Sequence, residues 1–258
     1  MPATTTNAVR YEVREDVAFL TMDAPPVNVL SGAMMDELTG GITRAEADRS
    51  LKALVIESAT RAFSAGADVG EHRPEEAPAM ISAFSRLFAA LGTVELPVVM
   101  AVDGAALGAG FELVMMADVL LATERSTFGQ PEIRLGFFAP VGVAWLSERI
   151  GLARAIEVTS TGRTYTASEM QAMGLVSRVV ADAGLPAALD GVLGDLRRAS
   201  PLVMRMNVRL ARQLYGRSFE EARLEAERVF LGELMATEDV REGIASFFEK
   251  RRPAWKNR

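Results

Sequence analysis

The stretch Val98-Val-Met-Ala-Val-Asp103-Gly104-Ala-Ala-Leu-Gly108-Ala109-Gly110-Phe-Glu112-Leu113 decides how this chain is organised. Its Val-rich apolar start reads as a buried strand. A turn of small residues follows, and then an apolar segment that can be helical. Glycine lets a backbone turn sharply and come close to a ligand. The free N–H groups of a helix start, with the positive end of the helix dipole, suit a developing negative charge. Glu112 falls just inside that start. Glu132, in Phe128-Gly-Gln-Pro-Glu132, follows after a second turn. The pattern suggests an oxyanion site served by two carboxyl groups.

Working outward, Val17–Met22 reads as a strand, with Tyr11–Val13 as a hairpin partner. Ala24-Pro-Pro26 breaks it. Met35, Leu38 and Ile42 keep helical spacing, although Gly40-Gly41 weakens that helix. Leu51–Glu57 is predicted as a buried strand, and Phe63-Ser-Ala-Gly66-Ala67-Asp68 as a small-residue turn. Pro74–Pro78 reads as a polar loop. Helical spacing resumes at Met80, Phe84, Leu87 and Leu91, and Val119–Ala122 is a further strand. Thr166–Glu169 and Ser218–Glu221 are capping boxes, in which hydroxyl and carboxylate satisfy the orphan N–H groups of a helix start. Strand and helix alternate over the first two-thirds, and amphipathic helices dominate from about Leu185. This predicts a wound α/β core over 1–195 and a helical region over 196–258.

Both glutamates have an ordinary reading as surface charges that complement a helix dipole. Phe111, Leu113, Val114, Met115 and Met116 leave Glu112 little solvated face, however, and burial raises a carboxyl pKa. Two carboxyl groups at one site push their titrations apart, so that one is protonated while the other is ionised. The turns at Ala65-Gly66-Ala67 and Gly108-Ala109-Gly110 are either plain tight turns or donors of one backbone N–H each to a carbonyl oxygen. Gly108-Ala-Gly110 is also half a dinucleotide fingerprint. Leu113 stands where the third glycine is needed, so a Rossmann site is disfavoured. No serine lies in a Gly-x-Ser-x-Gly elbow. His72, in Glu71-His72-Arg73-Pro74, is expected to be a solvated loop residue rather than a base.

Composition narrows the classes further. The chain has 258 residues, 49% of them apolar, enough for a sizeable core. A net charge of −6 disfavours nucleic acid and anionic membrane as partners. With no cysteine and one histidine, disulfides, a thiolate nucleophile and a transition-metal site are not expected. No apolar run is long enough to span a membrane, and the Met1–Asn7 start lacks the pattern of a signal peptide. A cytoplasmic enzyme is the default expectation.

Taken together, the motifs resemble the crotonase superfamily, the enoyl-CoA hydratases and isomerases, over nearly the whole chain. Asn28-Val-Leu is similar to its early Asn-Ala-Leu motif, and Phe63–Asp68 and Val102–Leu113 to its two oxyanion motifs. Phe128–Glu132 with Leu135-Gly136 resembles its second acid motif. Asp118, Thr161-Gly-Arg163, Gly174-Leu-Val176 and Phe248–Pro253 follow in family order. The resemblance implies a spiral core of ββα repeats, a C-terminal helical trimerisation region, and a homotrimer or dimer of trimers.

By position, the resemblance makes Ala67 and Ala109 the amides that hold a thioester oxygen, and Glu112 and Glu132 the acid–base pair. It places Arg61, Ala65, Ala67 and Val69 along the CoA part of the substrate, and Phe137, Phe138 and Trp145 around the acyl pocket. Trp255 and Lys256 would close over CoA from a neighbouring subunit. Three departures stand out: Ala109 for a glycine, Gly70 for a CoA-contacting lysine, and Phe137–Trp145 for the usual Pro-Gly-Ala-Gly-Gly segment. The activity implied is syn addition of water to a 2-enoyl-CoA, with no metal or separate cofactor. Hydration of a cyclic dienoyl-CoA, isomerisation and thioester hydrolysis are alternatives on the same fold. A non-catalytic assembly or nucleic-acid-binding protein on the same scaffold, disfavoured by the acidic balance, is the alternative of another class.

Overall fold

A computed structural model describes residues 7–258; residues 1–6, which carry nearly all of the stretch read for a signal peptide, lie outside them. In chain order the strands are β1 Val9–Arg14, β2 Val17–Met22, β3 Val29–Leu30, β4 Ala53–Ser58, β5 Gly66–Ala67, β6 Val98–Val102, β7 Ala105–Leu107, β8 Val119–Thr123, β9 Thr127–Gly129, β10 Thr164–Thr166 and β11 Arg178–Val180. The helices are α1 Gly32–Ala47, α2 Ala77–Thr93, α3 Ala109–Met115, α4 Pro140–Ile150, α5 Leu152–Thr161, α6 Ala167–Met173, α7 Leu185–Leu196, α8 Pro201–Leu214, α9 Phe219–Gly232 and α10 Glu238–Phe248.

One sheet runs in the order β1-β2-β4-β6-β8-β11. Only the β1–β2 hairpin is antiparallel. Each of β2, β4, β6 and β8 is followed by a short second strand and then a helix. These second strands stack into a layer of their own: β3 pairs with β5, Ser64 bridges to Ala106, and β7 pairs with β9, all in parallel. This is the spiral of ββα repeats expected from the resemblance. Between the layers lies a core that includes Phe63, Phe111 and Phe128, and each such ring removed from water contributes about 1.5–3 kcal/mol. The other face of the large sheet packs on Leu189 and Leu193 of α7.

Local details show why this sequence winds so closely. Gly41 faces Leu20 of β2 and leaves no room for a Cβ, so Gly41 lets α1 sit on the sheet, and the Gly40-Gly41 pair does not end the helix. Asn28 has φ 51°, a left-handed conformation that Asn tolerates, and its side chain is buried. Its Nδ2 donates to Ser58 Oγ at 2.8 Å and the Phe63 carbonyl at 3.1 Å, while its Oδ1 accepts from Ala24 N–H at 2.8 Å. Asn28→Ala strands those buried groups. Urea unfolding should show a loss of about 3 kcal/mol, and a loss under about 0.5 kcal/mol would contradict this account. Arg205 of α8, 1% exposed, donates to the Glu46 carboxylate and to the carbonyls of Ala45 and Asp48, pinning α8 to the end of α1. Among the described residues no helix is long and apolar enough to cross a membrane.

Candidate active site

The winding brings the two small-residue turns together. Ser64 donates its hydroxyl to the Asn28 carbonyl at 2.7 Å and accepts from Gly66 N–H at 3.1 Å. A Cβ placed on Gly66 would lie 3.7 Å from the Ala109 nitrogen, and one on Gly110 would lie 2.6 Å from the Ser64 Cβ. Only glycine permits this approach. Ala109 opens α3, so its N–H has no acceptor within the helix. Ala67 closes β5 beside it. A cavity of about 570 Å³ opens over both turns. Ala65, Ala67, Val69, Ala109, Glu112 and Glu132 line it.

The two carboxyl groups enter this cavity from different turns of the spiral. Glu112, 2% exposed, accepts through Oε1 from Val141 N–H at 2.7 Å and Gly142 N–H at 3.0 Å, the first turn of α4. Burial drives its carboxyl up from 4.5 to about 8; the Gly142 and Val141 amides oppose the rise and the Glu132 charge adds to it. Glu132 comes from the short 3₁₀ turn Pro131–Leu135, and its Oε2 would lie 3.4 Å from a Cβ on Gly108, at the start of α3. Burial raises this carboxyl too, opposed by its own backbone N–H and by the charge of His72. The buried Gln130 amide, oriented with its NH2 toward the carboxylate, donates to Glu132. Each group is therefore held by donors, and the Glu132 charge adds to the cost of ionising Glu112.

Met80, Ile81, Phe84, Leu135, Phe137 and Phe138 supply the apolar walls of the cavity. Trp145 is not among the lining residues. It sits further along α4, its ring 5.4 Å from that of Tyr215. The helix that begins at Pro140 turns it away from the two phenylalanines that precede it. Arg61 is likewise outside the lining, exposed on the turn whose carbonyl lies against Gly104. Trp255 is engaged within its own chain, donating through Nε1 to the Arg198 carbonyl at 3.0 Å.

His72 corrects the expectation of a solvated loop residue. It lines the cavity, its Nδ1 lies 2.8 Å from the Asp68 carbonyl oxygen, and its ring centroid is 4.8 Å from that of Phe137. The polar composition of Glu71–Glu75 hid this. Asp68 caps a 3₁₀ turn over Val69–His72, and that turn folds the loop back over the site. Neither the role of Gln130 nor that of the Val141 and Gly142 amides was foreseen. The one available signal was the position of Gln130, two residues before a candidate acid.

A parallel ββα spiral with two carboxyl groups and a helix start around one cavity defines a class. Residues 12–258 match the family described as "Enoyl-CoA hydratase/isomerase", and the chain belongs to that family. Among its relatives is a Mycobacterium bovis protein named "Probable enoyl-CoA hydratase echA8", 36% identical and covering 98% of this chain and 100% of that one. The "Cyclohexa-1,5-dienecarbonyl-CoA hydratase" of Thauera aromatica is 32% identical, covering 93% of this chain and 92% of that one. The crystal structure of an enoyl-CoA hydratase from Mycobacterium smegmatis superposes with a TM-score of 0.90 at 29% identity, covering 96% of this chain and 98% of that one.

Proposed function

We propose that this protein is an enoyl-CoA hydratase that adds water syn across a 2-enoyl-CoA to give a 3-hydroxyacyl-CoA. The observation that carries this reading is the meeting of Glu112 and Glu132 in one cavity over the Gly66–Ala67 and Gly108–Ala109 turns. The amides of Ala67 and Ala109 hold the thioester oxygen, where negative charge develops as the β-carbon is attacked or the α-carbon is deprotonated. In hydration, ionised Glu112 takes a proton from water as its oxygen bonds to the β-carbon, and protonated Glu132 delivers a proton to the α-carbon. Elimination is the reverse: Glu132 removes the α-proton and Glu112 protonates the departing hydroxyl. The pair carries one proton throughout, which two coupled, raised carboxyl groups favour. No metal or redox cofactor takes part; CoA enters as part of the substrate, along Ala65, Ala67 and Val69, with Arg61 toward its phosphates. Phe137 and Phe138 face the acyl group, while Trp145 supports α4 behind them.

Incubation with crotonyl-CoA should give a product heavier by one water, with loss of the enoyl-thioester absorbance. A product of unchanged mass, or free CoA, would replace hydration by isomerisation or hydrolysis. A second reading, hydration of a cyclic dienoyl-CoA, is favoured by the rings of Phe84, Phe137, Phe138 and His72 around the cavity. Cyclohexa-1,5-dienecarbonyl-CoA in the same assay separates the two.

Residues 1–195 form the part that holds the substrate, and 196–258 the helical part that joins subunits. Phe219, Leu231, Phe247 and Phe248 are 72–81% exposed on α9 and α10, more apolar surface than a lone subunit normally leaves in water. The protein is a cytoplasmic homotrimer or dimer of trimers. Light scattering at micromolar concentration should give three or six times the chain mass, and a monomer would overturn the assembly.

A further inference from the structure

In hydration Glu132 starts as a carboxylic acid and ends as a carboxylate, and elimination runs it the other way. Its partner has to suit both forms. A fixed donor such as a lysine or a backbone N–H favours the carboxylate alone, and an apolar neighbour favours the acid alone. A primary amide carries both kinds of group: its NH2 donates and its oxygen accepts.

Gln130 stands where such a partner is needed. It follows Gly129 at the end of β9, a strand paired by β7 on one side and β10 on the other, and Pro131 opens the 3₁₀ turn that carries Glu132. Proline fixes its own φ, so the two side chains leave a stiff stretch of backbone. Gln130 is 1% exposed. One end of its amide lies against the Glu132 carboxyl oxygens, 3.1 Å from Oε2 and within hydrogen-bond reach of Oε1. The other end lies by the first turn of α4, 3.2 Å from where a Cβ on Gly142 would stand. A methyl group there would crowd the amide, and the bare glycine leaves it room to turn. The Gly142 N–H is one of the two that hold Glu112, so Gln130 fills the space between Glu132 and the support of Glu112.

The charged groups that share the cavity with Glu132 are Glu112 on α3, His72 on the Val69–His72 turn and Arg134 on its own turn. Glu112 is committed to the α4 amides and His72 Nδ1 to the Asp68 carbonyl, while Arg134 is exposed with its Nε close to Gly162. Among the described residues, Gln130 is the one side chain hydrogen-bonded to the Glu132 carboxyl.

We propose that Gln130 is a positioning residue that holds Glu132 in both of its protonation states: its amide donates through NH2 to the carboxylate and, turned over, accepts through its oxygen from the carboxylic acid. The carboxyl group stays aimed at the same carbon before and after it gives up its proton, and no proton passes to Gln130. This rests on the acid–base reading of Glu132 given above.

Gln130 is one of three glutamines, with Gln171 and Gln213, so isotopic labelling of glutamine side-chain nitrogens in the full-length protein gives three NH2 signals by NMR. Gln130→Met identifies the Gln130 signal by its loss. In the unmodified sequence that signal should move in one step as pH rises through the titration of Glu132. Its cross-peak to the Gly142 α-protons should be strong at the acid end, where the amide is turned over, and weak at the alkaline end. Glu132→Ala should abolish the step, and Glu112→Gln should keep it. A cross-peak that does not change with pH, or a step that survives Glu132→Ala, would overturn the proposal. The reading needs no turnover, so the step and the cross-peak change in a protein that hydrates nothing would sink the activity and support the pairing. In the active enzyme, Gln130→Met should lower kcat on crotonyl-CoA by about 10- to 100-fold, the worth of a hydrogen bond to a charged group, with little change in KM. It should also move the acid limb of the pH–rate profile up by at least about half a pH unit, because a buried carboxylate without its donor is harder to form. A loss of kcat that is equal at every pH would indicate a merely structural role and also overturn the proposal.

Discussion

Glu112→Gln should lower turnover on crotonyl-CoA by about 100- to 10,000-fold while making the protein harder to unfold at neutral pH. The first effect follows from removing one of two proton-transfer groups while keeping its shape. The glutamine oxygen can still accept from Val141 and Gly142 N–H, so the start of α4 keeps its anchor. The second effect follows from burial. The folded-state value of about 8 lies above the ordinary 4.5. Below the lower value both folded and unfolded chains hold the proton, and the group adds no pH dependence. Between the two values the unfolded chain has released a proton that the folded chain keeps, so stability falls with pH by roughly 1.4 kcal/mol per unit from this group. Above the higher value the whole cost is present. Glutamine has no charge to bury, so the variant's advantage in unfolding free energy should grow from about pH 5 to about pH 8. Urea titrations at both ends of that window, beside turnover at neutral pH, check the two effects together. Near-normal turnover would remove Glu112 from the chemistry, and a pH-independent stability difference would mean that its carboxyl is not held neutral.

Much of this architecture was legible because the first strand of each repeat is long and buried. Val98–Val102 is buried at every position and reads as a central strand without further help. The second strands are two or three residues each, too short to show a period, and Gly66–Ala67 reads only as a turn. They exist because neighbouring turns of the spiral supply their partners. The apolar neighbours of Glu112 rightly signalled burial, since Phe111, Leu113, Val114 and Met115 are fully enclosed. That Glu112 and Glu132 meet was not legible, because the β7–β9 pairing that brings their segments together is a tertiary fact. The Phe137–Trp145 segment failed as a unit for a simple reason. Pro140 starts a helix within it, so the two phenylalanines face the cavity and the tryptophan goes to Tyr215. His72 failed because loop composition reports on sequence neighbours, whereas its surroundings come from the far side of the cavity.

Gly110→Ala should cost both the fold and the site, although it adds a single methyl group. The new Cβ would fall 2.6–2.9 Å from Cβ, Oγ and the carbonyl oxygen of Ser64, closer than real atoms pack, and two of these belong to a buried side chain with nowhere to go. Overpacking of this kind costs about 1–3 kcal/mol and sometimes more. Ser64 cannot yield quietly, because its backbone N–H and carbonyl pair with Ala105 and Leu107 and its hydroxyl holds Asn28 and Gly66. Pushing it away from α3 carries Gly66 with it and separates Ala67 from Ala109. If those two amides grip the thioester oxygen, their separation should lower kcat on crotonyl-CoA by at least about 100-fold, the loss typical of removing one such donor. Gly40→Ala is the matched control. It meets nothing within 4 Å and lies in α1, so it should raise stability by up to about 1 kcal/mol and leave kcat alone. Purified variants compared by urea unfolding and by kcat in the folded fraction keep the two losses apart. A Gly110→Ala protein that is destabilised yet turns over normally would mean that the close seating of α3 on Ser64 serves packing alone, and that Ala67 and Ala109 are not the oxygen's partners.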